Sequence, residues 1–292
     1  MGYSSRYHAA SLAAVFLALA IGILIGVNFG DDVVTGTAES LEESLQTDLE
    51  DARAEADELD AELQAERDFT EAAYPALVAG RLREDNIGLV ALGGLPSQVV
   101  EDVEAMLDPT GAQLTHVSVV RAPPDTQALA EALQGTEFDR VDRDNQQLED
   151  LGRVLGRQLV AGGGEPLDEV REQFLVRESG SEAGLDGVIV VRDAPGDLAG
   201  DEADAAETLE GGVLEGIADA EPPAVGVERT DTEPSAIATF DAHGIATSDS
   251  VDLVSGRVAA VFVLLGADGN FGVKDSADQL LPDLLVPSEQ KR

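Results

Sequence analysis

Residues 87–120 read IGLVALGGLPSQVVEDVEAMLDPTGAQLTHVSVV, and their pattern decides the fold. Ile87-Gly88-Leu89-Val90-Ala91-Leu92 is an uncharged apolar run of strand length, the mark of a strand buried on both faces. Gly93-Gly94-Leu95-Pro96 breaks it. Ser97 is placed to cap a helix whose inner face carries Val99, Val100, Val103 and Leu107. Asp108-Pro109-Thr110-Gly111 is a turn, and a second strand, AQLTHVSVV, lies within Ala112–Val120. Two buried strands joined by one helix and short loops make a β–α–β unit, the start of a parallel sheet. The expected class is α/β, with a Rossmann-like domain and a mainly parallel sheet over residues 81–284.

Toward the C-terminus the alternation continues. Residues 124–161 read mostly as helix, through Leu129, Ala132 and Leu133, then Leu148, Leu151, Leu155 and Leu159. Ala161-Gly162-Gly163-Gly164 interrupts it, and Pro166–Val176 reads as a further short helix. Leu185–Val191 is a third strand, Gly200–Ala220 contains an acidic helix, and Ala224–Glu228 is a fourth strand. Val258–Leu265, VAAVFVLL, is too short to cross a membrane and must be core, as strand or helix. The chain from Lys274 onward reads as a frayed tail, with residues 285–292 flexible.

Toward the N-terminus, residues 37–79 read as a long helix. Ser40-Leu41-Glu42-Glu43 fits the S-x-x-E capping box. Leu45, Leu49, Ala52, Ala56, Leu59 and Leu63 follow in alternating steps of four and three, a heptad seam. The expectation is a parallel dimeric coiled coil over 37–79. The alternative is a single amphipathic helix lying on the following domain.

Ahead of it, Ala9–Gly30 carries no charge. A helix of that length spans roughly 33 Å, against about 30 Å for a bilayer core. Arg6, His8 and the terminal amine precede it. Asp31 and Asp32 follow, and the next basic residue is Arg53. Cytoplasmic flanks carry the Lys/Arg excess, so residues 1–8 are expected inside and residues 31–292 outside. A cleaved signal peptide is the rival reading, but its apolar core is normally about 7–15 residues with an A-x-A-like site after it. This run is longer and has no such site, so a retained anchor over 9–30 is expected. Ala14, Ala18, Gly22, Gly26 and Gly30 recur every four residues, a spacing that lets helix backbones approach in lipid. Together with Leu45, Leu49, Leu59 and Leu63 they form the expected dimerisation surface.

Composition limits the partners. The chain has 18 Lys+Arg against 58 Asp+Glu, a formal net charge of -40. Such a surface repels nucleic acid, and it self-repels unless salt screens it, so the sequence predicts adaptation to high salt. With no cysteine there are no disulfides, thiolate nucleophiles or Cys-based metal sites.

Candidate sites are few. Gly93-Gly94, between a strand and a helix N-terminus, lacks the G-x-G-x-x-G pattern and any P-loop lysine, so a tight turn is the favoured reading. The histidines are His8, His116 and His243. Asp241 with His243 would begin a metal or proton-transfer site, and His116 lies on a predicted strand. These three, His116, Asp241 and His243, are the metal candidates, each beside the commoner reading of a satisfied core or turn residue. Copper(I) wants sulfur, and the only sulfur here is in Met1 and Met106. No catalytic constellation is legible, so a non-enzymatic role is expected.

Two stretches carry a resemblance. Arg6–Gly22, RYHAASLAAVFLALAIG, resembles the start of the actinobacterial MctB copper transporter family. Gly269–Lys274, GNFGVK, with Ala277–Pro282, ADQLLP, resembles its C-terminal part. The order of parts matches over essentially the whole chain: membrane helix, coiled coil, α/β domain. The resemblance implies copper transport or homeostasis in the cell envelope. Relatives called SteB imply instead an envelope partner in cell division that regulates peptidoglycan hydrolysis. The residues themselves point to a second copy of the chain and the lipid bilayer as partners; the resemblance adds envelope or division proteins. Copper is the implied ligand, and no residue cluster in the sequence supports it.

Overall fold

The computed structural model describes residues 5–181 and 183–283; for residues 5–9 and 28–43 the description covers the backbone. The expected tail 285–292 and the segment 1–4 lie outside it, as do the side-chain surroundings of Gly30 in the small-residue stripe. The chain divides into two compact units, Met1–Phe69 and Thr70–Arg292.

The first unit is helix. One α-helix, α1, runs from Ser5 to Val78. The capping box at Ser40 therefore starts nothing: the backbone is already helical there, because the apolar segment before it and the Ala/Glu/Leu-rich segment after it both favour helix. Ala10–Val27 has a mean hydropathy of 2.6 and is long enough to cross a membrane.

The second unit is a seven-stranded sheet between two helical layers. Its strands are β1 (Asn86–Gly93), β2 (Gln113–Val120), β3 (Leu175–Gly180), β4 (Gly187–Asp193), β5 (Ala224–Val227), β6 (Ala246–Ser248) and β7 (Asn270–Phe271). Their spatial order is β3-β2-β1-β4-β5-β6-β7. All neighbours pair in parallel except β2 and β3. The helices are α2 (Ser97–Leu107), α3 (Thr126–Ala132), α4 (Asn145–Ala161), α5 (Leu167–Phe174), α6 (Asp201–Ala218), α7 (Ile237–Ala242) and α8 (Val254–Leu264). The Rossmann-like reading holds.

Strand alternation assigns the two cores. Val90, Leu92, Val188 and Val190 face a layer made of α3 to α7, with Leu151, Leu155, Val213 and Phe240. Leu89, Ala91, Ile189 and Val191 face the other, with α2, α8 and the end of α1. Both faces are covered, which is why β1 and β4 read as unbroken apolar runs. VAAVFVLL resolves as helix α8.

Several local expectations change. Ser97 is the first residue of α2 and not its cap; Pro96 holds the cap position and no side chain caps the helix. Pro166–Val176 divides into α5 and then β3, an edge strand. Its residues Val176 and Arg177 point outward, so its apolar content is too low to read as a strand. The start of the supposed tail, Lys274 to Gln279, is held in place. Lys274 Nζ donates to the buried Glu228 carboxylate at 2.6 Å and to the Thr232 carbonyl at 3.1 Å. Asp249, also buried, accepts from the Val273 and Lys274 backbone N–H groups at 2.8 and 2.9 Å. Gly272, at φ 141°, leaves the space that the Asp249 carboxylate fills.

Lys274 is thus the cationic partner of a carboxylate that is only 4% exposed. Lys274→Met should cost about 3 kcal/mol, the usual result of orphaning one member of a buried pair. In a unit of this size that lowers Tm by roughly 6–12 °C. Thermal unfolding followed by circular dichroism checks it, and the double variant with Glu228→Gln should recover part of the loss.

Candidate functional site

The carboxyl edge of the sheet is where a doubly wound fold places chemistry. After β1 the chain turns at Gly93, φ 92°, and the Gly94 N–H donates to the Asp193 carbonyl at 2.7 Å. Side chains at either glycine would overlap Asp193. The glycine pair packs on the end of β4, as the tight-turn reading requires.

Beside it lies a crevice of about 510 Å³, bounded by the start of α2 and by the residues that end β4 and β5. Arg229 is ion-paired with Asp102 of α2 and lies 3.3 Å from Asp231. Arg192 is ion-paired with Glu210 of α6. Burial pushes the carboxyls of Asp102 and Glu210 upward, and in each case the arginine partner opposes the shift.

The metal candidates have separate surroundings. His116 is buried on β2. Its Nδ1 lies 3.0 Å from the Ser181 carbonyl and so carries the proton; its Nε2 lies 2.7 Å from Ser118 Oγ and 3.4 Å from Glu178. His243 follows α7. Its Nδ1 donates to the Thr239 carbonyl at 2.8 Å, and its Nε2 makes no hydrogen bond among the described residues. That side chain lines a groove of about 400 Å³ with Glu149, Asp204, Glu207 and Glu215. Asp241 turns elsewhere and accepts from Asn270 Nδ2 at 3.0 Å. Among the described residues no three His, Cys, Asp or Glu side chains stand close enough together to hold a metal ion.

The expected dimerisation residues lie on the first unit. Ala14, Ala18, Gly22 and Gly26 are exposed, and nothing stands within 4 Å of a methyl built on either glycine. Leu45, Leu49, Leu59 and Leu63 are 50–60% exposed in the single chain. An apolar seam of this kind has no partner within one copy.

Sequence reading missed one packing device. Gly152 and Gly156 on α4 face Gly212 and Gly216 on α6, and a methyl on any of them would overlap or crowd the facing helix's backbone. The paired G-x-x-x-G spacing was visible, but glycine within a soluble helix normally reads only as a weakness.

A family model described as copper transport outer membrane protein, MctB, matches residues 3–282 of the chain. No curated protein matches it.

Proposed function

The chain belongs to the MctB family, which makes it a membrane protein related to copper transport, and within that role we propose a dimeric, non-enzymatic scaffold anchored by one span. The observation that carries the proposal is α1: an apolar stretch of spanning length continues without a break into a helix whose heptad seam is exposed. Two copies side by side would bury that seam. The flanking charges favour an N-terminus inside and the α/β unit outside. Copper is the cargo of the system, and the scaffold positions the partners that handle it. The same parts suit an envelope partner in cell division, as the SteB resemblance implies.

A second reading has its own observation. The His243 Nδ1–H is held by a backbone carbonyl, the arrangement that orients histidine ligands, and its Nε2 belongs to a carboxylate-lined groove. Copper(II) would meet that nitrogen and at most one carboxylate there, since no three such groups stand together among the described residues.

Calorimetric titration of the full chain in detergent and high salt, with copper(I) and copper(II), separates the two. The scaffold reading expects weak association without a defined stoichiometry, unchanged in His116→Ala and His243→Ala. Micromolar binding that His243→Ala abolishes would replace it with direct copper binding.

A further inference from the structure

The crevice outside the ends of β4 and β5 has no part in the reading above. The sheet order reverses between β1 and β4, so the connections leaving these strands diverge. In open parallel sheets that divergence creates a ligand crevice. Its volume of about 510 Å³ lies within the range of small-molecule pockets.

Its lining contains hydrogen-bond donors that the protein does not use. At the start of α2 the Val99 and Val100 N–H groups both turn to the Pro96 carbonyl. Among the described residues the Ser97 and Gln98 N–H groups have no acceptor, and no side chain caps the helix. Arg192 engages Glu210 through Nε alone. Arg229 engages Asp231 through Nε and Asp102 through Nη1. The remaining guanidinium N–H groups of both have no partner among the described residues. Val99, Val191 and Val227 supply an apolar lining. Glu228, buried and paired with Lys274, and the exposed Asp193, Asp231 and Glu233 also border the crevice, and they disfavour a ligand of high negative charge.

We propose that this crevice binds a small organic anion. A single carboxylate or phosphate head group meets Arg229 and the first turn of α2, and an apolar body lies against the valines. Helix N-termini and guanidinium groups share that preference for anions.

The test is calorimetry on the full chain in detergent and high salt, with benzoate and phenyl phosphate as probes and benzyl alcohol as the neutral counterpart. Saturable binding of at least one anion, and none of the alcohol, is expected. The tighter anion identifies the head group. Gln98→Glu places a carboxylate at the head-group position from an exposed residue, where the helix dipole tolerates it. It should weaken anion binding at least about tenfold while leaving Tm unchanged or slightly raised. Arg229→Gln should weaken binding in the same direction. Absence of saturable anion binding to the unmodified chain would overturn the proposal, as would equal affinity in Gln98→Glu.

Discussion

Gly212→Ala unfolds much of the α/β unit's stability margin, while Gly211→Ala, one residue away on α6, leaves stability unchanged or raises it. Both substitutions gain about 1 kcal/mol of intrinsic helix propensity, so the comparison isolates packing. A methyl at Gly212 overlaps the Glu149 carbonyl on α4, and backbone cannot swing aside. A methyl at Gly211 meets only the His243 ring, at 3.1 Å, and a side chain can shift. Separating two helices packed on opposed glycines disturbs Leu151, Leu155 and Val213 beneath them. The expected cost is about 3 kcal/mol or more, the upper range for overpacking. Tm should fall by roughly 6–12 °C in Gly212→Ala. Equal thermal stability in the two variants would mean that the α4–α6 contact is looser than described.

Salt produces the second large effect. The chain carries 40 more acidic than basic side chains, and its arginines are shared among several carboxylates. Arg153 contacts Glu149, Asp150 and Glu215; Arg171 contacts Asp168 and Glu178; Arg229 contacts Asp102 and Asp231. The remaining carboxylates repel one another over a distance set by screening. That distance is about 3 Å at 1 M salt and about 30 Å at 10 mM. Dialysis of the full chain from molar salt into dilute buffer should abolish the cooperative thermal transition, and returning the salt should restore it. A transition of unchanged Tm in dilute buffer would show that local pairing suffices.

Much of the sheet was legible because β1, β4 and β5 are largely buried and apolar, and burial on both faces leaves an uninterrupted hydrophobic run; β2, interrupted by Thr115, His116 and Ser118, was legible from the β–α–β spacing and its valines. β3 was not, because an edge strand with Val176, Arg177 and Ser179 exposed has no such run. β6 and β7, of three and two residues, are too short for any period. The stretch Gly269–Lys274 reads as a family feature, yet its structural meaning depends on Glu228, far back in sequence. The environment of His243 was equally hidden, since the Thr239 carbonyl and the groove across α4 and α6 come from the folded chain. The glycine pairs of α4 and α6 have meaning only once the two helices are known to touch.

The scaffold account rests on α1 pairing with a second copy through its seam, and the absence of native cysteine allows a clean test. Single-cysteine variants Leu59→Cys and Ala61→Cys would be oxidised in intact membranes at high salt, and covalent dimer read on a non-reducing gel. In a parallel coiled coil residue 59 faces its own copy, while residue 61 lies on the outer side. A disulfide requires Cα atoms within about 7 Å. The account predicts dimer for Leu59→Cys and monomer for Ala61→Cys. Equal cross-linking of both variants, or none of either, would contradict it.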